Sequence, residues 1–338
     1  MTTNDTSGRL DEAFERLHAC GPERLGRLSN HAPMVVESLA ARGRAGAVHR
    51  WLDRYQDRLE EFPAPVSPIT DADWRDALGD IRRAADWVAF FARALADHPW
   101  RDVLAAWWPR LLPGLYGAAT HPVIRVGHAV RALEAEENAP RLAELAHALG
   151  YWAARHRPVS GVTVLPGAPT AAASLDAVPA VHTRSRAFPD RLAVVRALPG
   201  WAADVTDPDT ARTRLTELVR AATHRYTTHG HGEETMLVHA ATAPNAVLRT
   251  LDALPRGLWA PSLHAAWTAS AAVTAMYAPA EPVDYVPPAR LSAEEVVDRA
   301  LAHGDEHVIK LTDTALDVGD QRALDAASRA VDLSRPLV

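Results

Sequence analysis

The sequence predicts an all-α protein, a single large multi-helix domain over residues 1–338 broken by an irregular Pro/Gly-rich crossover around residues 157–189. Three observations predict it. Apolar side chains recur three or four residues apart with Arg, Asp and Glu between them, as in Val48, Leu52, Tyr55 and Leu59 or in Ile81, Ala85, Val88 and Phe91. No comparable run alternates with period two, the signature of a half-buried strand. Capping residues stand where helices should begin: Asp207 before Pro208, and Ser292 three residues before Glu295 in the spacing of a capping box.

Taken in order, the polar stretch Met1–Gly8 is expected to be a flexible N-terminus, with neither the basic nor the apolar region of a secretory leader. Gly43 and Gly46 bracket a helix break. In the crossover, Pro158, Pro166, Pro169 and Pro179 accompany Gly161 and Gly167, which reads as ordered but irregular chain. A second proline-rich stretch, Ala278–Pro288, separates the helix around Trp267 from the C-terminal helices. About a dozen helices are expected by this reading, and no solenoid-type repeat is present.

Composition narrows the function. At 338 residues, 48% hydrophobic and 23% charged, the chain has the makeup of a packed globular protein. A net charge of -6 supplies no basic stripe, so nucleic acid is not expected as a partner. No apolar run reaches the roughly 20 residues of a spanning helix, so no membrane association and a cytoplasmic location are expected. The single cysteine, Cys20, rules out an internal disulfide and has no surrounding motif that would activate it. Oligomeric state is not legible.

Two features of the basic residues point to chemistry. Lys310 is the only lysine, every other basic chain being arginine. It follows His307 by three residues, so both point toward one helical face, and Val308, Ile309 and Leu311 surround it with apolar chain. A buried ammonium is costly, and burial favours the neutral amine. Carbon dioxide can carboxylate such an amine to a carbamate, an oxygen ligand for a metal, which a guanidinium does not readily become. The plain alternative is a lysine that caps a helix end or pairs with Asp305 or Asp313.

Sixteen histidines are the second feature, most of them expected to be surface or hydrogen-bonded core residues. His121 and His128 are two helical turns apart, about 10.5 Å of rise, so they share a face but are far apart for one metal. Arg125, on a neighbouring stripe, is a candidate for meeting an anionic substrate. His31, just before Pro33, and His239, before Pro244, sit in apolar sequence beside helix junctions, which favours burial. The tract His224, His229, Gly230, His231 reads as an exposed loop rather than a functional cluster. The tryptophans, Trp87, Trp107, Trp108 and Trp267 among them, are either core or the walls of a flat aromatic pocket. Phosphate-loop, GxGxxG, HExxH and GxSxG motifs are all absent.

Five segments together resemble the questin oxidase family: LSNHAPMV around His31, HPVIRVGHAVRAL from His121, LVHAATAPNAVLR around His239, WTASAAVTAMYAP from Trp267 and DEHVIKLTDTAL from Asp305. They occur in order over nearly the whole chain, and the ordered set is more specific than any one segment. The resemblance implies an oxygenase that oxidises or cleaves an aromatic polyketide ring, anthraquinone-like, with dioxygen. It also implies one mononuclear non-heme iron, ligated by His31, His121, His239, His307 and a CO2-carboxylated Lys310, with an external reductant where the chemistry requires electrons. The Baeyer–Villiger-type outcome described for the family would here proceed without flavin, since no flavin fingerprint is present. His128 is the group implied to help deprotonate a hydroxyquinone or hydroquinone substrate. Fungal-looking members carry a histidine where this chain has Arg125 and a tyrosine where it has His128. Two other classes stay open at this stage: a metal-dependent hydrolase or cyclase whose carboxylated lysine bridges two metals, and a non-catalytic helical accessory protein of a biosynthetic pathway.

Overall fold

Helix is the outcome wherever the apolar period of three to four meets a good start and stop, and the caps read from sequence form as expected. In a computed structural model, which describes residues 3–159, 161–185 and 187–337, Asp207 Oδ2 accepts from the Thr210 amide at 2.8 Å. Ser292 and Glu295 close a reciprocal capping box, Ser292 N donating to Glu295 Oε2 at 2.8 Å. Gly43 takes a left-handed φ of 73° two residues after a helix end, a conformation that costs glycine nothing. Of the N-terminal stretch expected to be flexible, residues 1 and 2 lie outside the described residues, and from Thr3 the chain is helical.

The chain divides into two compact units, residues 1–158 with 252–255, and residues 159–251 with 256–338; the boundary falls inside the expected crossover. The first unit contains α1 (Thr3–His18), α2 (Ala32–Ala41), α3 (Val48–Tyr55), α4 (Trp74–Ala77), α5 (Ala84–Asp97), α6 (Trp100–Leu111), α7 (His121–Ala135) and α8 (Ala139–Ala154). A two-stranded antiparallel ladder of β1 (Glu23–Arg24) and β2 (Leu28–Ser29) precedes α2. Helix α8 packs against α1, α5 and α7, and α2 packs against α1, α3 and α7. The close approach of α5 to α8 depends on Gly150, where an added Cβ would lie 2.8 Å from Val88 Cγ2 and 2.9 Å from Val88 N. Trp87, Trp107, Phe90 and Phe91 pack edge to face in the core of this unit, as do Trp108 and Trp152.

The second unit contains α9 (Ala171–Asp176), α10 (Phe188–Leu192), α11 (Pro208–His229), α12 (Glu234–Leu237), α13 (His239–Thr250), α14 (Trp259–Tyr277), α15 (Ala293–His303), α16 (Glu306–Val318) and α17 (Gln321–Leu333). The long α11 packs against α13, α14, α16 and α17, and α13 packs against α14 and α16. Within the crossover and just after it, β3 (Thr163–Leu165) pairs in parallel with β4 (Ala197–Pro199). Trp267 is core here, its Nε1 donating to Pro199 O at 2.6 Å.

Among the described residues there are 17 α-helices rather than about a dozen. The excess is short elements such as α4, α10 and α12, which span too few residues to show an amphipathic period. The His224–His231 tract is not an exposed loop. Its first part completes α11, with His224 Nε2 2.7 Å from Asp320 Oδ1, and its end is a 3-10 turn. Among the described residues no helix is long and apolar enough to cross a membrane.

Candidate metal centre

The four histidines of the expected ligand set share one local setting: each stands at the start of a helix whose first turns are wholly buried. His31 is the N-cap of α2, buried throughout Ala32–Ala40. His121 is the first residue of α7, buried throughout His121–Val130. His239 opens α13, buried throughout His239–Val247, and His307 is the second residue of α16, buried throughout Glu306–Ala315.

In the first unit the His31 and His121 rings stack, centroids 4.5 Å apart and planes 19° apart. His121 Nδ1 lies 2.6 Å from Ala118 O; a carbonyl only accepts, so Nδ1 carries the proton and Nε2 presents its lone pair. The chain enters α7 through three consecutive non-glycine residues in left-handed conformation, Ala118, Ala119 and Thr120, with φ of 44°, 54° and 69°. Each such residue costs on the order of 1–3 kcal/mol, and strain of this kind collects where a side chain must be aimed.

In the second unit the His239 and His307 rings lie with centroids 5.6 Å apart. Asp305 caps α16, its Oδ1 accepting from the amides of His307 at 2.9 Å and Val308 at 3.1 Å, and this fixes the turn that carries His307. Candidate ligand atoms of Asp305, Glu306 and His307 all lie within 4.8 Å of one another. Burial and the neighbouring charge of Glu306 raise the Asp305 carboxyl above its ordinary pKa. One turn further along, Lys310 is 1% exposed, and its Nζ has no hydrogen-bond partner among the described residues. Burial pushes the amine down to about 8, against the opposing pull of Glu306 and Asp305. The alternative in which Lys310 forms an ion pair with Asp305 or Asp313 is not what the chain adopts: Asp313 is held instead by Arg249 Nη2 at 2.8 Å.

Arg125 and His128 both lie on α7, buried, and each has a carboxylate partner from a neighbouring helix. Arg125 forms a bidentate pair with Glu144 of α8, Nε to Oε1 at 2.6 Å and Nη2 to Oε2 at 2.8 Å. His18 joins it, Nε2 3.3 Å from Glu144 Oε2, and stacks on His147. Burial raises the Glu144 carboxyl, but the charge and hydrogen bonds of Arg125, with His18, outweigh that and hold it at about 2. Burial and the Arg125 and His18 charges depress His147 to about 3. His128 Nδ1 lies 2.6 Å from Glu37 Oε2 of α2, and Arg131 holds the same carboxylate.

Glu37, Glu144 and Glu306 are the acidic residues that sequence reasoning passed over. Glu37 and Glu144 are charged residues in apolar runs, Met34-Val35-Val36-Glu37 being the clearer, and that signal marks a buried, partnered acid; Glu306, between Asp305 and His307, carries no such signal.

The chain's sequence matches the family model described as Questin oxidase-like over residues 28–315. No curated protein matches it.

Proposed function

Because the chain belongs to the questin oxidase-like family, we propose that it is an oxygenase that oxidises or cleaves the ring of an anthraquinone-like aromatic polyketide with dioxygen. In this reading His31, His121, His239, His307 and a carboxylated Lys310 hold one non-heme iron. The observation that carries it is Lys310: a lysine 1% exposed, with no hydrogen-bond acceptor for its Nζ among the described residues, and with its ammonium form penalised by burial. A neutral amine is the form that adds carbon dioxide, and the carbamate so formed is an anionic oxygen donor. Imidazole nitrogens and a carbamate oxygen are ligand types that iron accepts. When bound, the iron supplies the activation of dioxygen, and an external reductant completes the assay mixture.

The chain's own residues supply the rest. His128, with Nδ1 turned to Glu37, is the group that would help to take the proton of a hydroxyquinone or hydroquinone. Arg125 is engaged with Glu144, so its contribution is to hold α7 against α8 rather than to meet an anionic substrate. The aromatic substrate and dioxygen are the partners this reading requires.

The hydrolase or cyclase reading has one observation in its favour, the Asp305, Glu306 and His307 ligand atoms beside Lys310. Metal content decides. Elemental analysis of the full chain, freshly purified, should give one iron per chain, lost in both Lys310→Arg and His307→Ala. Two zincs per chain would favour the hydrolase. No stoichiometric iron, manganese or zinc in the wild type would overturn both readings and leave the accessory role.

A further inference from the structure

Helices α13 and α16 pack side by side in the second unit, and their first turns bring His239 and His307 together with ring centroids 5.6 Å apart. Arg249 lies ten residues after His239, and Asp317 lies ten residues after His307. Each step is a rise of about 15 Å along its helix. Arg249 Nε donates to Asp317 Oδ2 at 2.7 Å. The two helices therefore run in the same direction with equal offsets, and the contact that joins their last turns also decides which residues meet at their first.

Two side chains of α13 make this join. Arg249 reaches Asp313 as well, Nη2 to Oδ2 at 2.8 Å, so one guanidinium spans two acids four residues apart on α16. Asn245, 1% exposed, donates from Nδ2 to Asp317 Oδ2 at 2.9 Å and to Thr314 Oγ1 at 3.3 Å. A carboxylate only accepts, so the bond to Asp317 fixes the orientation of the amide, and Oδ1 has no hydrogen-bond partner among the described residues. A buried amide oxygen in that state costs stability. The best-attested use of a polar group kept at such a cost between packed helices is to specify register.

Register needs specifying at this interface. Around Asn245 the buried residues of α13 include Ala240, Ala241, Ala243, Ala246 and Val247. Small apolar side chains present a similar ridge every turn, so packing alone discriminates weakly against a slip of one turn, about 5.4 Å. Such a slip would take the two imidazole rings from 5.6 Å to roughly 8 Å apart.

We infer that Asn245 and Arg249 are positioning residues: through Asp313, Thr314 and Asp317 they set the register of α13 against α16, and that register holds His239 beside His307. The inference rests on the iron-site reading for what the two histidines bind, and on the helix contacts alone for the register.

Two measurements on the full-length chain test it, each compared with the midpoint of urea unfolding. The first is the nuclear Overhauser contact between the His239 and His307 ring protons in metal-free protein, assigned from its absence in His239→Ala and His307→Ala. The second is calorimetric titration of the metal-free protein with cobalt(II). An apolar replacement of the clasp, Asn245→Leu, Arg249→Met, Asp313→Leu and Asp317→Met together, should unfold at a urea concentration no lower than wild type. It should nevertheless lose the ring contact and bind cobalt at least about tenfold more weakly. Arg249→Lys keeps the charge but not the fork that spans two acids, and should weaken the contact and lower the affinity about threefold or more. Wild-type contact and affinity in the apolar variant overturn the inference, as does the absence of the ring contact from wild type. Should the apolar variant not fold, Arg249→Lys decides, and wild-type behaviour in both measurements overturns the inference. A wild type that binds no cobalt counts against the metal-site reading, and the ring contact then decides the register by itself.

Discussion

Lys310 illustrates how far one residue can be taken. As a lone lysine among arginines it was an oddity of composition, and the apolar neighbours Val308, Ile309 and Leu311 argued for burial. Burial is what the fold delivers, together with an Nζ that has no hydrogen-bond partner among the described residues, which no sequence pattern could have revealed. A buried amine without an acceptor is a cost to the metal-free fold. Lys310→Met keeps the volume and removes the polar group, so metal-free Lys310→Met should be more stable than metal-free wild type by about 1–3 kcal/mol while binding no iron. Urea denaturation and elemental analysis of the same samples measure both. Equal or lower stability of the variant would mean that Nζ is satisfied in the folded protein. Arg125 and His128 show the limit of sequence at this scale. Their positions on a buried helix were legible, but their partners are 19 and 91 residues away, and nothing local specifies which acid a buried base will meet. Removing the partner should be expensive: Glu144→Leu leaves the Arg125 guanidinium buried and unpaired, at a cost of about 3–5 kcal/mol by chemical denaturation.

At the scale of elements, the helices with strong caps were the legible ones. Asp207 and Ser292 begin helices in the structure as they do in the sequence reading. The parallel pair β3–β4 was not legible, because three residues such as Thr163–Leu165 are too few to alternate and their partner lies beyond two short helices. Nor was the left-handed run at Ala118–Thr120, which uses residues with no preference for that conformation. The run aims His121, so relaxing it tests what the strain is for. Thr120→Gly removes the Cβ penalty at φ 69° and should leave thermal stability within about 1 kcal/mol of wild type, while weakening metal binding roughly tenfold as the ring loses its fixed approach. Unchanged affinity would make the strain incidental. Helix packing is tested at Gly150, where Gly150→Val would drive side-chain atoms into the Val88 backbone. Stability should fall by at least about 1–3 kcal/mol, read as a lower midpoint in urea.

For the molecule as a whole, the all-helical fold and the family were legible in sequence. Prolines mark where a chain turns, and the boundary at residues 158–159 has no compositional signature beyond them. The buried acids give the whole fold a pH dependence. Glu37 and Glu144 sit at about 2 in the folded chain against an ordinary 4.5, so the stability they contribute is present above about 4.5 and is lost as pH falls toward about 2. His147, depressed to about 3 from an ordinary 6.5, acts in the same direction over a higher window, because the unfolded chain takes up a proton that the folded chain does not. Unfolding free energy measured by urea from about pH 7 down to about pH 3 should therefore fall throughout, and Glu144→Gln should flatten the slope below about 4.5.

The central claim is that Lys310 becomes a carbamate that binds metal. Carbon-13 NMR of the protein reconstituted with carbon-13 bicarbonate and zinc, as a diamagnetic stand-in for iron, reads it directly. The account predicts one protein-bound carbamate carbon resonance, absent from Lys310→Arg; a spectrum with no carbamate signal in the metal-loaded wild type would contradict it.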